Sequence, residues 1–452
     1  MAGQAGHTAQ LGTFLAKTVH AEATTQPSDA IAPPMEMLGS KALRRMLSAF
    51  TYRDFRVQWF GACTSSIGSW TQTSAQNWMV LSLTGSAFFL GLDAFLQQLP
   101  IMLLTLIGGV LADRRDRRHT LLGSQYLQMT TAVALGLLVY WDVVTIWHIL
   151  LLSFITGVAQ AFGGPAYQAL IPSLVDKKDL PNAVAFNSIQ VNIARVLGPL
   201  VFGGTIAAFA RWGFSDVRGM AACFFLNALS FLVVIYTLMS LHVKHIPPAS
   251  VQRMRDEMRI GLSYVRNNSG LVALTVLAAA TTFLGFSVLT FLSIFAQRVF
   301  HEGASTYGHL LAFSGAGSIV GALIVAWLGK FRRMGLTTLI VQVVYGLLMV
   351  AFGMSRVLWV SEALLFLTGA ALMIVFSTIT SLVQLIAPNE MRGRVMSIYM
   401  LAFRGGMPVG SLVSGYFATI FDAPLVIQVN GVLLVAVAAY FLFVRSHGVR
   451  EA

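Results

Sequence analysis

The chain has little charge for its length, and this excludes an ordinary soluble domain. Charged residues make up 11% of its 452 residues and hydrophobic residues make up 56%, whereas a soluble domain carries about 25% charged residues. A chain this apolar lacks the polar surface needed to cover its core in water. The composition therefore indicates lipid as the main solvent.

Cysteines and common catalytic signatures are also scarce. Cys63 and Cys223 lie in apolar runs without a partner at close spacing, so neither a disulfide framework nor a clustered metal site is predicted. The chain has no CxxC or HExxH motif, and Gly329-Lys330 lacks the rest of a phosphate-binding loop. ATP hydrolysis is therefore not expected as an energy source. We predict that the protein is not an enzyme and has no cofactor.

What the chain does contain is long apolar segments, each close to the roughly 20 residues that cross a bilayer as a helix. They come in two sets of six, which predicts an all-α polytopic membrane protein with twelve transmembrane helices in two six-helix pseudo-repeats. The predicted spans are 57–83, 86–111, 119–140, 145–170, 183–209, 219–241, 269–296, 306–328, 336–354, 358–386, 394–420 and 424–444.

Two short patterns recur at corresponding places of both sets and support a duplication. Residues 168–172 read QALIP and residues 384–388 read QLIAP, each near the end of a fourth span. In each fifth span, an arginine stands four residues before a proline, at Arg195 and at Arg404.

The hydrophilic segments around these spans set the predicted domain boundaries. We expect a disordered cytoplasmic tail at 1–50, six-helix bundles at 51–241 and 269–445, a cytoplasmic linker at 242–268 and a second tail at 446–452. The linker contains a run rich in arginine that is expected to form, in part, an amphipathic helix on the membrane surface.

The net charge of +12 does not indicate a nucleic-acid partner, because the basic residues lie in short gaps between apolar runs. With the amino terminus inside, 24 lysines and arginines fall on the cytoplasmic side and 4 on the outer side. Cytoplasmic loops carry the excess of basic residues. This predicts a multi-pass protein of the cell inner membrane with both termini in the cytoplasm.

The strongest motif is the gap between the second and third spans, where four arginines and two aspartates crowd into residues 113–118. With the preceding residues it resembles the G-x-L-A-D-R-x-G-R-R signature of the major facilitator superfamily. The resemblance implies that Gly109, Asp113, Arg114, Arg117 and Arg118 form a conformational latch between the two halves. The alternative is a basic loop that only sets topology.

One position of this loop departs from the superfamily pattern. Asp116 stands where the pattern has glycine, so a tight turn with positive φ is less expected there.

Three charges lie deep within the predicted spans, where an unpaired charge is costly. Arg195 and Arg404 stand near the middle of the fifth and eleventh spans, which face a central cavity in the superfamily. They are expected either to form a basic site for an anionic or carbonyl-rich substrate or to be structural pins tied to backbone carbonyls and an acid. Asp93, in the second span, is expected either to carry a proton or to pair with Arg195 or a polar group such as Gln97.

Two further features of the spans bear on function. Gly198 and Pro199 are expected to kink and break the fifth span, and with the following glycines they are similar to an element of superfamily exporters. A polar stripe in the first span is expected to line the cavity or to pack against other helices. The stripe comprises Ser65, Ser66, Ser69, Thr73 and Asn77, with Trp70 and Trp78.

Residues 52–56, 97–100 and 165–175 look like the branch of the superfamily that contains the enterobactin exporter and macrolide efflux proteins. The resemblance implies a secondary transporter, coupled to protons, that exports a siderophore-like or drug-like molecule by alternating access. Its partners would be the small-molecule substrate, protons and the lipid bilayer, and we expect a monomer. The alternatives are an importer of the same fold, such as a solute or lipid permease, and a non-transporting membrane sensor.

Overall fold

The computed structural model describes residues 47–114, 116–241, 254–329, 331 and 333–443; the side chains of 106–114 and 254–258 lie outside the described part. The predicted tails at 1–50 and 446–452 therefore fall almost entirely outside it, as does the first half of the predicted linker.

The described part is helical, and its helices follow the apolar segments of the sequence. A π-helical turn, Phe295–Val299, directly follows the helix Ser287–Ile294. The helices are α1 (Arg53–Thr84), α2 (Ala87–Arg114), α3 (Arg117–Tyr140), α4 (Ile146–Leu170), α5 (Leu180–Arg211), α6 (Asp216–Met239), α7 (Met254–Asn267), α8 (Ser269–Gly285), α9 (Ser287–Ile294), α10 (Ala304–Leu328), α11 (Met334–Met354), α12 (Leu358–Ile386), α13 (Arg392–Phe421) and α14 (Ala423–Phe443).

The predicted all-α membrane fold is confirmed. Ten of the described segments are long and apolar enough to cross a membrane, with α8, α9 and the π-helical turn forming one of them. The long helices α1 and α13 are less apolar, because α1 carries many polar residues and α13 carries three arginines. The count of twelve spanning helices stays a prediction.

Within each half, the helices approach closely where one of them has a glycine. A methyl group added at Gly61 of α1 would collide with Thr237 of α6, and one at Gly157 of α4 would collide with the carbonyl of Gln97 in α2. In the second half, Gly317 of α10 lies in the same way against α12. Such contacts are expected where packing rather than hydrophobicity holds helices together in lipid.

The two halves meet along two seams, α2 against α13 and α5 against α10. In the first seam, Gly91 lies against the backbone of Ser411. In the second, a methyl group at Gly308 would stand 2.6 Å from the carbonyl oxygen of Pro199 and 3.2 Å from the Cα of Gly203. Both contacts lie toward the end of the bundle where α1 ends at Gly85, called here the Gly85 end. The opposite end, which carries Arg117 and Arg118, is called the basic end.

Candidate functional site: a cleft between the halves

The helix faces that form the seams become uncovered toward the basic end. On α13, the face that contacts α2 through Ser411 continues through Arg404, Leu401 and Ser397, all three of which are exposed. On α5, the face that contacts α10 continues to Ser188, which is exposed as well. We infer from these uncovered continuations that the halves diverge toward the basic end, and the space between them is called here the cleft.

Arg195 lies on α5 at the edge of this cleft. Its guanidinium carbon stands 5.6 Å from the centroid of the Trp70 ring, a distance typical of a cation–π contact. Its Nε atom is buried and has no hydrogen-bond partner. Among the described residues the side chain forms no hydrogen bond or ion pair, so the carbonyl and acid partners expected of a structural pin are not present there.

Arg404 lies on the uncovered face of α13, in the other half, and its side chain is exposed. Within the described part of the chain it forms no hydrogen bond, ion pair or ring contact. Each of the two arginines stands four residues before a proline, Pro199 or Pro408. Because proline has no N–H, the carbonyl of each arginine loses its helical partner.

The helix α5 stays continuous from Leu180 to Arg211 with Pro199 inside it, so the predicted break is wrong. The segment around the proline packs closely on α1. Gly198 lies against the Trp70 side chain of α1, and its carbonyl accepts a 3.0 Å hydrogen bond from Thr71 Oγ1. Pro199 removes one helical hydrogen bond, that of the Arg195 carbonyl, and a transmembrane helix packed this closely on its neighbour tolerates the loss.

Part of the polar stripe of α1 faces the other half. The Nδ2 of Asn77 donates to Tyr307 Oη of α10 at 3.2 Å, and the Trp78 ring stacks on Tyr307 with centroids 5.9 Å apart. One and two turns toward the basic end, Thr73 and Trp70 share that face and are half-buried. Residues of the stripe therefore pack against the other half at the Gly85 end, and the stripe continues along the cleft toward the basic end.

Asp93 lies away from both arginines, buried within the first half at 3% exposure. Its Oδ2 accepts a 2.7 Å hydrogen bond from Gln76 Nε2 and its Oδ1 accepts a 2.5 Å bond from Ser153 Oγ. Of the two partners considered for Asp93, a salt bridge to Arg195 is not formed, and the polar partners are Gln76 and Ser153 rather than Gln97. Gln76 and Ser153, which sequence reasoning missed, join α1, α2 and α4 around this carboxylate, and they also bond to each other at 2.8 Å.

Two of the predicted latch residues contact carbonyls at helix ends. Arg117 Nη1 donates to the Ala169 carbonyl at the end of α4 at 3.0 Å, and Arg118 Nη2 donates to the Met239 carbonyl at the end of α6 at 2.5 Å. Cations are favoured at the carboxyl ends of helices. Both contacts lie within the first half. The surroundings of Gly109 and the side chains of Asp113 and Arg114, in the last turns of α2, lie outside the described part.

Asp116, which stands where the superfamily pattern has glycine, is the N-cap of α3. It has φ −62° and ψ 117° and caps α3, accepting a 2.8 Å bond from the Arg118 backbone N–H. His119 Nδ1 also stands 3.0 Å from its carboxylate. Burial acts to raise the pKa of Asp116, but the bonds from Arg118 and His119 outweigh it and hold the pKa below the usual value. A cap replaces the positive-φ turn.

A single arginine joins the halves at the Gly85 end. Arg298 Nη2 donates to the carbonyl of Gly85. Gly85 has φ 59° and ends α1 in the left-handed conformation. Arg298 belongs to the π-helical turn after α9, a local geometry frequently found at functional sites.

Two helical halves that meet along seams and leave a cleft open at one end define a membrane transporter of the major facilitator type. The chain belongs to the transmembrane secretion effector family, whose family model matches residues 45–451. This family consists of transporters and not of enzymes.

Curated relatives agree with this family. The chain is 25% identical to the staphyloferrin A transporter of Staphylococcus aureus, over 84% of this chain and 93% of that protein. It is 23% identical to macrolide efflux protein A of Streptococcus pyogenes, over 85% and 94%. It is 25% identical to the enterobactin exporter of Citrobacter koseri, over 81% and 82%.

Solved structures show the same fold. A bacterial homologue of the human lysosomal transporter Spinster, in an inward-facing and occupied conformation, matches with a TM-score of 0.71 at 16% identity, over 87% of this chain and 97% of that chain. A D-xylose–proton symporter matches with a TM-score of 0.68 at 14% identity, over 87% and 98%.

Proposed function

We propose that the protein exports a small molecule, siderophore-like or drug-like, across the cell inner membrane in exchange for protons. The observation that carries the proposal is the pairing of a cleft open at one end with a buried carboxylate, Asp93, in the wall of the first half. Rocking the halves about the seams would open the cleft at the other end.

The orientation follows from the charges of the chain. The basic end carries the arginine-rich loop before α3, and loops of this kind lie in the cytoplasm. With that orientation, the cleft faces the cytoplasm and the Gly85 end is closed toward the outside. This is the state in which an exporter takes up its substrate.

Asp93 is the proposed proton carrier. It is the one acid deep in a span, and its partners Gln76 and Ser153 are uncharged, so its charge has no cation to balance it. Taking a carboxylate out of water favours its protonated form. The same partners can hold either form, because the Gln76 amide and the Ser153 hydroxyl each include both a donor and an acceptor.

Export is favoured over import by the named relatives, two of which are an efflux protein and an exporter. The test is uptake into inverted membrane vesicles, in which the cytoplasmic face is outside. Erythromycin and a catecholate siderophore are offered, and acidifying the vesicle interior should drive accumulation of at least one. Collapse of the gradient with an uncoupler should abolish it.

Asp93→Asn should remove the dependence on the gradient, and Asp142→Asn, in the turn after α3, is the matched control. Accumulation only in right-side-out vesicles would favour the importer. No gradient-dependent movement in either direction would overturn the proposal.

A further inference from the structure

We infer that the cleft selects organic anions, with Arg195 and Arg404 as the groups that bind the carboxylate of the substrate. This inference rests on the proposed function, because it names the substrate class of the same cleft. It is carried by two cations that face the space between the halves without a counter-charge.

The first observation is the environment of Arg195. Its only described contact is with the Trp70 ring, and its buried Nε lacks a partner. A buried arginine is normally paired, because the desolvated charge is costly otherwise. A planar guanidinium with free N–H groups matches a carboxylate in a two-point arrangement.

The second observation is the absence of acids from the helices around the cleft. The helices α1, α5, α10 and α13, all within the described part, contain one acid between them. That acid is Asp54, in the first turn of α1, where it pairs with Arg53 at 3.7 Å. Asp93 is engaged by Gln76 and Ser153. No described acid of these helices therefore balances Arg195 or Arg404, and an anion from outside the chain would supply the counter-charge.

The third observation is the placement of the two arginines on opposite halves. Arg195 lies beside the α5–α10 seam and Arg404 continues the face of the α2–α13 seam. A substrate with one carboxylate near Arg195 would have its flat apolar part beside Trp70. When the halves rock, an anion held between them would reduce the repulsion of the two cations. The cleft therefore suits aromatic or multiply carboxylated anions better than cationic drugs.

The test is equilibrium binding to the full chain in lipid nanodiscs without any gradient. The probes are citrate, salicylate and 2-naphthoate, each compared with its carboxamide, and 2-naphthylmethylamine as a cation. We expect at least one carboxylate to bind, measured by thermal stabilisation and calorimetry, while its carboxamide and the amine bind about tenfold or more weakly.

Arg195→Gln and Arg404→Gln should each weaken carboxylate binding by about tenfold or more. Arg195→Lys, which keeps the charge and loses the planar fork, should restore part of it. Arg211→Gln, at the exposed end of α5, is the matched control and should bind as the wild type does. Arg404 is exposed, so its substitution leaves the packing intact even if Arg195→Gln folds poorly.

Three results would overturn the inference: no carboxylate binds, the amine binds as well as the carboxylates, or Arg404→Gln binds unchanged. The absence of a gradient keeps this test separate from the proposed export. Carboxylate binding without gradient-driven flux would contradict the proton coupling alone, and flux of cationic drugs without anion binding would contradict the substrate class alone.

Discussion

The guanidinium of Arg195 lies over the Trp70 ring at 5.6 Å, and this contact joins the cleft faces of α1 and α5. Tryptophan is the best aromatic partner for a cation. Because no acid shares the contact, the ring is the one described group that stabilises this charge. The pair therefore sets the orientation in which Arg195 meets a substrate.

Replacing Trp70 should weaken transport through the loss of that orientation. We expect Trp70→Leu to raise the substrate concentration at half-maximal flux by about twofold to thirtyfold, the range that corresponds to about 0.5–2 kcal/mol. Trp70→Phe should have a smaller effect. The concentration dependence of uptake into inverted vesicles measures it, and an unchanged half-maximal concentration in Trp70→Leu would contradict the role of the pair.

Two glycines in similar contacts should give different phenotypes when a methyl group is added. Gly91→Ala collides with Ser411 of the other half, whereas Gly157→Ala collides with Gln97 of the same half. The first collision is relieved when the halves separate, so Gly91→Ala should fold normally and favour closure of the basic end. The second has no such relief and should lower the free energy of unfolding by about 1–3 kcal/mol.

Thermal unfolding in detergent and maleimide labelling at Ser397→Cys separate these effects. We expect Gly157→Ala to unfold at a lower temperature, and Gly91→Ala to reduce labelling at Ser397→Cys in the cleft. Gly204→Ala, which adds a methyl group to open space, is the control. Equal losses of thermal stability in both variants would refute the distinction between the seams.

Removing Arg298 should loosen the Gly85 end. Its bond to the Gly85 carbonyl connects the halves, whereas Arg356, which lines the same cavity of about 400 Å³, donates to Gly353 and Ser355 of its own half. Losing about 1 kcal/mol from one state shifts the balance about fivefold. Labelling of Ser411→Cys, a buried position of the α2–α13 seam, by an impermeant reagent should rise by that factor in Arg298→Ala and not in Arg356→Ala. Increased labelling in both variants would mean that the bond from Arg298 to Gly85 does not hold the Gly85 end closed.

The cap at Asp116 should contribute stability that depends on pH. Its pKa is lowered in the folded protein, so the contribution is present above the ordinary carboxyl pKa and is lost as the pH falls through the lowered value. Asp116→Ala should therefore lower the free energy of unfolding by about 1 kcal/mol at pH 7, and the difference should shrink at about pH 3. Asp116→Asn keeps the capping oxygen but loses the charge, so at pH 7 its stability should lie between those of Asp116→Ala and the wild type and should not follow the wild type's pH dependence. Thermal unfolding at the two pH values checks this, and a constant difference would argue against the charged cap.

The bounds of the helices were largely predictable, because apolar segments and the prolines and charges between them follow the thickness of a bilayer. The seventh predicted span is the exception. Its break at Phe286 and its π-helical turn are backbone features that hydropathy does not record. The fifth span shows the opposite case, since Pro199 predicts a break and the helix continues through it.

The candidate site was predictable residue by residue but not in its pairings. A charge within an apolar span is visible in the sequence, as Asp93, Arg195 and Arg404 are. Its partner is set by which helices touch, and α2 meets α1 and α4 at Gln76 and Ser153. Gln76 and Ser153 are uncharged, and the spans contain many other polar residues, so the sequence does not mark these two as partners of Asp93.

The account depends on protons moving through the protein when substrate moves, and one measurement tests this most directly. Inverted vesicles are acidified inside, the gradient is followed with a fluorescent pH dye, and a transported compound is added. We predict that the compound dissipates the gradient in the wild type and in Asp142→Asn but not in Asp93→Asn. Substrate accumulation with no change of the gradient in the wild type, or the same dissipation in Asp93→Asn, would contradict coupling through Asp93.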